Sequence, residues 1–282
     1  MIIELDSGDF RIAWSHLGSR IRFPEAGAVL LGNNPGWVFV DDTTRPSTAL
    51  IWARGIQGFY FVGEPSNSAF LDNLDRFVDR LIAPRLRQMG LEWLEVSGGE
   101  GWDPFIEQVF ARRSLEKGLQ WVYALDPEIF KRQSSNREMG PHVRKVDRGL
   151  IHEAGLAGLD FLVSKISSFW GKVDNFLRIG LGFVLIEQDE IASACLSGFV
   201  SQATHAIDIY TLEDHRRKGY AEAVAGRYLD TCTKRGLNPY WDCMAENLPS
   251  AKLAEKLGFT KAGEYNLYSF QLGSGGGRSQ SA

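Results

Sequence analysis

The segment from Asp208 to Ala221 reads DIYTLEDHRRKGYA, a short polar, basic turn between a β-strand pattern and an amphipathic-helix pattern. The first N–H groups of a helix have no partner inside it, and their partial positive charge points out of the N-terminus. A diphosphate can accept hydrogen bonds from such amides where the backbone is approachable. Gly219 permits that approach and any positive φ the turn requires. Ala221 keeps the next position small, while Arg216, Arg217 and Lys218 add positive charge. Hydrogen bonds to charged groups contribute roughly 1.5–3 kcal/mol each, so a few suffice to anchor an anion. The spacing is neither the Gly-x-Gly-x-x-Gly of a dinucleotide fold nor a P-loop. A solvated basic turn ahead of a surface helix is the alternative reading.

Other residues with chemical potential cluster nearby. His205 and Asp208 lie on the preceding strand, and both are candidates to handle a proton. Side-chain alternation puts them on opposite faces of a regular strand. Asn247 and Ser250 flank Pro249 at the start of a helix, where Asn247 is also a natural N-cap. Cys243, on a strand, reads as a small buried hydrophobe.

The elements that must position these residues follow from periodicity. In the second half, Phe161–Trp170 reads as a helix, and Gly182–Ile186, Ile191–Val200 and His205–Thr211 read as strands. A helix over Tyr220–Lys234, a strand over Tyr240–Met244, a helix over Pro249–Leu257 and a strand over Tyr265–Leu272 complete it. The first half gives strands at Trp37–Val40, Ala49–Trp52 and Gly58–Val62, then a helix over about Ser68–Met89 that Pro84 must end or kink. A strand (Leu91–Val96), a short helix (Pro104–Phe110) and a strand (Gln120–Leu125) follow. The two halves thus run in similar order without a residue-level repeat. A degenerate duplication and an unrelated α/β accessory domain are the two readings of the first half.

Arg216-x-x-Gly219-x-Ala221 resembles the Arg/Gln-x-x-Gly-x-Gly/Ala signature of the GNAT (Gcn5-related N-acetyltransferase) superfamily. Pro239–Cys243, Asn247-x-x-Ser250 and Leu257-Gly258-Phe259 look like that superfamily's fifth strand and fourth helix. Phe169-Trp170-Gly171, Phe176-Leu177, Gly182-Phe183 and Ile207-Asp208-Ile209 are similar to a bacterial branch of it. The resemblance is confined to the C-terminal half, about Pro141–Leu272. It implies a mixed, mostly antiparallel twisted sheet flanked by helices, and transfer of an acetyl group from acetyl-CoA to a primary amine. Carried over residue by residue, Ile209, Tyr210 and Thr211 would hold the pantetheine and the acetyl carbonyl. Arg216, Arg217, Lys218, Gly219, Tyr220 and Ala221 would take the pyrophosphate, with Asn247 and Ser250 beside the cofactor. Ala254 stands where many members carry a tyrosine that protonates the leaving thiolate. That departure leaves the general acid unassigned among Tyr240, Cys243, Tyr265, Tyr268 and solvent, and raises a non-catalytic acyl-CoA binder as the alternative function.

Bulk properties bound the rest. At 282 residues, 44% hydrophobic and 23% charged, the chain suits two α/β units, residues 1–135 and 141–272, with residues 273–282 as a small-residue polar tail. Lys131–Pro141 is the expected linker. A net charge of −4 gives no field for nucleic acid or membrane. Three cysteines and five histidines lack metal-ligand spacing and point to a reducing cytoplasm with no metal. The expected partners are a small-molecule or protein amine, with the chain a monomer or homodimer.

Overall fold

The computed structural model describes residues 1–134 and 142–273. Their strands are β1 (Ile3–Glu4), β2 (Gly36–Val40), β3 (Thr48–Ala53), β4 (Gly58–Gly63), β5 (Trp93–Gly98), β6 (Glu116–Leu125), β7 (Val143–Lys145), β8 (Gly182–Glu187), β9 (Glu190–Ser201), β10 (Thr204–Thr211), β11 (Asn238–Met244) and β12 (Phe259–Gln271). All join one sheet in the order β1-β2-β3-β4-β5-β12-β6-β11-β10-β9-β8-β7. Read inward from either end, the order is the same: five strands of one half, then the sixth strand of the other. β12 pairs with β5 and β6, and β6 with β11 and β12. Each half therefore lends its last strand to its neighbour. The repeated order of elements in the sequence is a repeated sheet topology. In both halves the fourth and fifth strands run parallel, β4 with β5 and β10 with β11, while the other strand pairs are antiparallel.

A helix between the halves fixes their relation. Pro24 sits in the first turn of Pro24–Leu30, where its missing N–H costs nothing, and every residue of that helix is buried. It packs against β2 and β3 of its own half and against β9 and β10 of the other. Ala26, Val29 and Ile51 share a core with Ile166, Phe199 and Val200, so one apolar interior spans both halves. Asn34 closes the seam, its side-chain amide donating to the carbonyls of Phe169 (3.0 Å) and Gly198 (2.9 Å).

Three departures from the sequence reading have physical causes. The expected helix over Ser68–Met89 is broken into Ser68–Leu71, Leu74–Phe77, a π-turn at Val78–Ile82 and Ala83–Gln88. Pro84 has no N–H to give and its ring crowds the preceding turn, and the wider turn ahead of it makes room. Helices Phe10–Leu17, Pro24–Leu30 and Val173–Ile179 were not anticipated. β12 starts at Phe259, six residues before the expected Tyr265, through a register shift between Lys261 and Gly263. The exposed Thr260–Glu264 stretch hides that start from a hydrophobicity pattern. Of the expected linker, helix Pro127–Ser134 takes the first part; residues 135–141, like residues 274–282 of the expected tail, lie outside the described residues.

Candidate active site

β10 and β11 stay together for only three residues. Thr204, His205 and Ala206 face Asn238, Pro239 and Tyr240. β10 then follows β9 down to Thr211 opposite Ser193, while β11 follows β6 down to Met244 opposite Gln120. A wedge opens between strands that lean on different neighbours, and beyond Ala206 the edge of β10 that faced β11 has no strand beside it. Gly198, skipped where Ala206 faces Phe199 and Ile207 faces Ser197, is the extra residue of a bulge in β9 that helps this turn away.

The wedge leads into a cavity of about 320 Å³. Ile207, Asp208 and Ile209 line one side, and Trp241, Asp242 and Cys243 the other, with Asn247 and Ser250 beyond. Glu25, Tyr60 and Glu95 complete it from the first half. The Asn247 side chain accepts from the Ser250 amide (3.2 Å), and the Ser250 hydroxyl accepts from the Trp241 indole (3.1 Å). Both residues thus shape the start of helix Leu248–Lys256 while lining the cavity.

The basic turn lies at the far end of β10. His215 bridges two carboxylates of the β8–β9 hairpin, Glu187 at 2.8 Å and Glu190 at 3.1 Å. Lys218 approaches Glu187 at 3.5 Å. Pinned on that side, the turn leaves Arg216, Arg217, Lys218 and Gly219 exposed. Arg217 (φ +63°) and Gly219 (φ +83°) both take left-handed backbone, and a Cβ added to Gly219 would meet nothing within 4 Å. The sixteen-residue helix Tyr220–Arg235 starts there, with the carbonyl of Gly219 accepting from the Ala223 amide (3.1 Å). The amides before Ala223 at this helix start lack intrahelical acceptors.

Asp208 stands in the wedge wall. One oxygen meets Lys165 of helix Leu159–Trp170 at 3.1 Å, and the other is buried without a partner. Burial raises its pKa, and the Lys165 ammonium opposes that rise. Tyr210 is not among the lining residues; its ring is edge-on to Phe161 at 5.1 Å, with the Lys165 ammonium 5.7 Å from its centroid, and its carbonyl accepts from the Ser193 hydroxyl. The Thr211 hydroxyl lies 2.9 Å from that of Ser193.

The structure does not bring His205 to this cavity. It is 4% exposed, on the face of β10 opposite Asp208, and its Nδ1 lies 2.8 Å from the Ser197 hydroxyl, which in turn lies 2.9 Å from that of Tyr228. Burial, with a smaller push from Arg235, lowers its pKa from 6.5 to about 4. His205 is a core polar contact. The sign of its effect on stability follows. Between pH 6.5 and about 4 the unfolded chain binds a proton that the folded chain refuses, so stability falls as the pH drops through that window. The expected loss is about 3 kcal/mol. Urea unfolding at pH 7 and pH 4.5 checks this: His205→Gln should show a shallower loss across that interval than the unaltered protein, whatever its own stability.

Sequence reasoning missed the acidic part of the cavity. Glu25 is 5% exposed, and one of its oxygens has no partner. Burial, then the nearby Asp242 charge, raises its pKa well above the ordinary carboxylate value. Asp242 accepts from Tyr265 (2.6 Å) and Tyr240 (3.5 Å), and its pKa too is raised by burial, which those hydroxyls oppose. The signal for Asp242 was an acid inside an otherwise apolar strand pattern. For Glu25 it was the lone charge in the apolar run Pro24–Leu31. Of the other residues weighed as a proton source, Tyr268 is excluded by place: it lies in the first half's core, donating to Glu107. Ala254 is fully buried.

A model of the family described as GNAT acetyltransferase matches residues 27–268. The match therefore covers most of the chain, not the C-terminal half alone as the sequence motifs implied. The protein is 28% identical over 235 residues to the uncharacterized N-acetyltransferase YdfB of Bacillus subtilis, covering 83% of this chain and 85% of that one. Its fold is similar to a GCN5-related N-acetyltransferase-like protein from Streptococcus suis (TM-score 0.62, 23% identity, 94% of this chain and 100% of that one). It is also similar to a tandem GNAT protein from the clavulanic acid biosynthesis pathway (TM-score 0.62, 12% identity, 98% and 99%). With a topology repeated in two halves and a fourth–fifth strand wedge in the second, the chain belongs to the GNAT acetyltransferase family.

Proposed function

We propose that this protein transfers the acetyl group of acetyl-CoA directly to a primary amine bound in the cavity between its halves. The observation that carries this reading is the wedge. It presents an unpaired strand edge that runs from the exposed Gly219 turn to a cavity walled by carboxyl groups. An acyl-CoA fits both ends chemically. The pyrophosphate would sit on the amides of Arg217–Ala221, with Arg216 and Lys218 adding charge. The pantetheine amides would pair with the free edge of β10 at Ile209–Thr211, as an added strand does, and Asn247 and Ser250 would border the thioester end.

The chemistry required of the chain is proton handling. A primary ammonium with pKa ~10.4 must shed a proton to attack, a deficit of about 4–5 kcal/mol at neutral pH. The free amine then attacks the thioester carbonyl. The C–N bond forms, the C–S bond breaks, and the nitrogen's surplus proton leaves as the thiolate collects one. Asp208 lies at the wedge wall with a free oxygen and is suited to orient the amine. Tyr265 and Cys243 line the cavity as proton sources for sulfur, although burial pushes the Cys243 thiol pKa up and disfavours its thiolate.

The buried Ala254, in the place of a tyrosine, favours the second reading, a binder of acyl-CoA without turnover. Mass spectrometry after incubation with acetyl-CoA and a panel of primary amines separates the two. The proposal expects a product 42 Da heavier than one of the amines, with equimolar CoA released. Saturable acetyl-CoA binding with no acetylated amine would support the binder instead.

A further inference from the structure

Four carboxyl side chains, Glu25, Glu95, Asp208 and Asp242, line the cavity, and among its described lining residues there is no lysine, arginine or histidine. Lys165 answers Asp208. Among the described residues no cation answers Glu25, which reaches the cavity from helix Pro24–Leu30 with one buried oxygen unpartnered. Carboxyl groups this deep are tolerated when a proton or a positive charge accompanies them. Resting on the acetyl-transfer reading, we infer that Glu25 and Asp242, contributed by opposite halves of the chain, seat the acceptor's ammonium, and that Glu25 takes its proton. The acceptor this seat fits is a compact primary alkylammonium, not a lysine on a folded protein.

The titratable side chains that share the cavity or act electrostatically with Glu25 suit a cationic guest. Asp242 and Tyr240 of β11, Tyr60 of β4 and Tyr265 of β12 interact electrostatically with Glu25, and Glu95 of β5 lines the same cavity. Tyr265 and Tyr240 hold the Asp242 carboxylate as an acceptor. Glu25, with one oxygen free of any donor and no tyrosine hydroxyl bonded to it, is the better proton acceptor of the two. Burial favours a proton on this pair, and an arriving ammonium takes that proton's place while the proton leaves to solvent. The ammonium then gives one proton to the Glu25 carboxylate. Its nitrogen attacks the thioester carbonyl carbon, the C–S bond breaks, the nitrogen's second proton leaves as the CoA thiolate takes one up, and the Glu25 proton passes to solvent after the amide leaves. Size sets the class of acceptor. About 320 Å³ must hold the thioester end and the acceptor together, between walls supplied by both halves.

The test uses the full chain, saturating acetyl-CoA, 1,4-diaminobutane, n-butylamine and a blocked lysine peptide. Glu25→Gln keeps the size and removes the proton acceptor. The expected result at pH 7 is a loss in kcat/KM for the small amines of at least 100-fold, with acetyl-CoA affinity changed less than twofold. The variant's kcat/KM should rise about tenfold per pH unit toward the amine's own pKa, because solution then supplies free amine. Glu25→Asp should recover at least a tenth of native activity. Asp242→Asn, placed in the other half, should lose activity as Glu25→Gln does, which keeps the test open if one variant folds poorly. Activity of Glu25→Gln within threefold of native at pH 7 overturns the inference, as does faster acetylation of the peptide than of the small amines. Failure of the native chain to bind acetyl-CoA overturns the function on which the seat rests.

Discussion

Gly219→Val is expected to weaken acetyl-CoA binding by about 10²–10⁴-fold while the fold survives. Gly219 holds φ +83°, and a β-branched residue there is strained. The strain amounts to about 1–2 kcal/mol, small beside the stability of a chain this size. An added Cβ meets no atom within 4 Å outside its chain neighbours, so the side chain starts into open space. What changes is the open side of the turn. If two amide–phosphate hydrogen bonds are lost, at roughly 1.5–3 kcal/mol each, affinity falls by the stated range. Titration calorimetry gives the affinity and thermal unfolding gives the fold. A Gly219→Val protein that unfolds like the native one and binds acetyl-CoA as tightly would remove the turn from the proposed site.

The second large effect concerns the exchanged strands. A fragment carrying only residues 142–282 is expected not to fold to a stable monomer and not to bind acetyl-CoA. Both sheet partners of β12 described here, β5 and β6, lie in the missing half, and β11 loses its β6 neighbour. The long β11 edge would be bare, a template for aggregation. Helix Pro24–Leu30 would also be gone from the face of β9. Gel filtration and near-ultraviolet circular dichroism report the outcome, and co-expression with residues 1–134 should restore a defined species. A monomeric fragment with a cooperative thermal transition would contradict the sharing of strands described here.

That exchange explains what was and was not legible beforehand. Period-two runs such as Ile191–Val200 and the three- and four-residue spacing of Tyr220–Lys234 are local, and these elements stand where the patterns put them. Which strand lies beside β11 is a non-local matter. Nothing in Gln120–Leu125 states that it crosses to the other half, and the similar order of elements in both halves left a repeated topology as one of two readings. Residues before Trp37 gave no assigned element. Pro24–Leu30 is apolar on all sides because it is buried on all sides, so it has no amphipathic stripe to detect. For that reason Glu25 escaped notice: a lone acid in a first helical turn reads as a favourable dipole partner. His205 drew attention through its position before the turn. Only the structure shows that its face of β10 belongs to the core with Ser197 and Tyr228.

The most direct test of the account is a calorimetric titration of the unaltered 282-residue chain with acetyl-CoA. Saturable binding to one site per chain is predicted, and it should be abolished when the pyrophosphate-bearing nucleotide portion is removed from the ligand. Absence of heat at millimolar acetyl-CoA, from protein that unfolds cooperatively, would contradict the claim that the wedge between β10 and β11 is a thioester site.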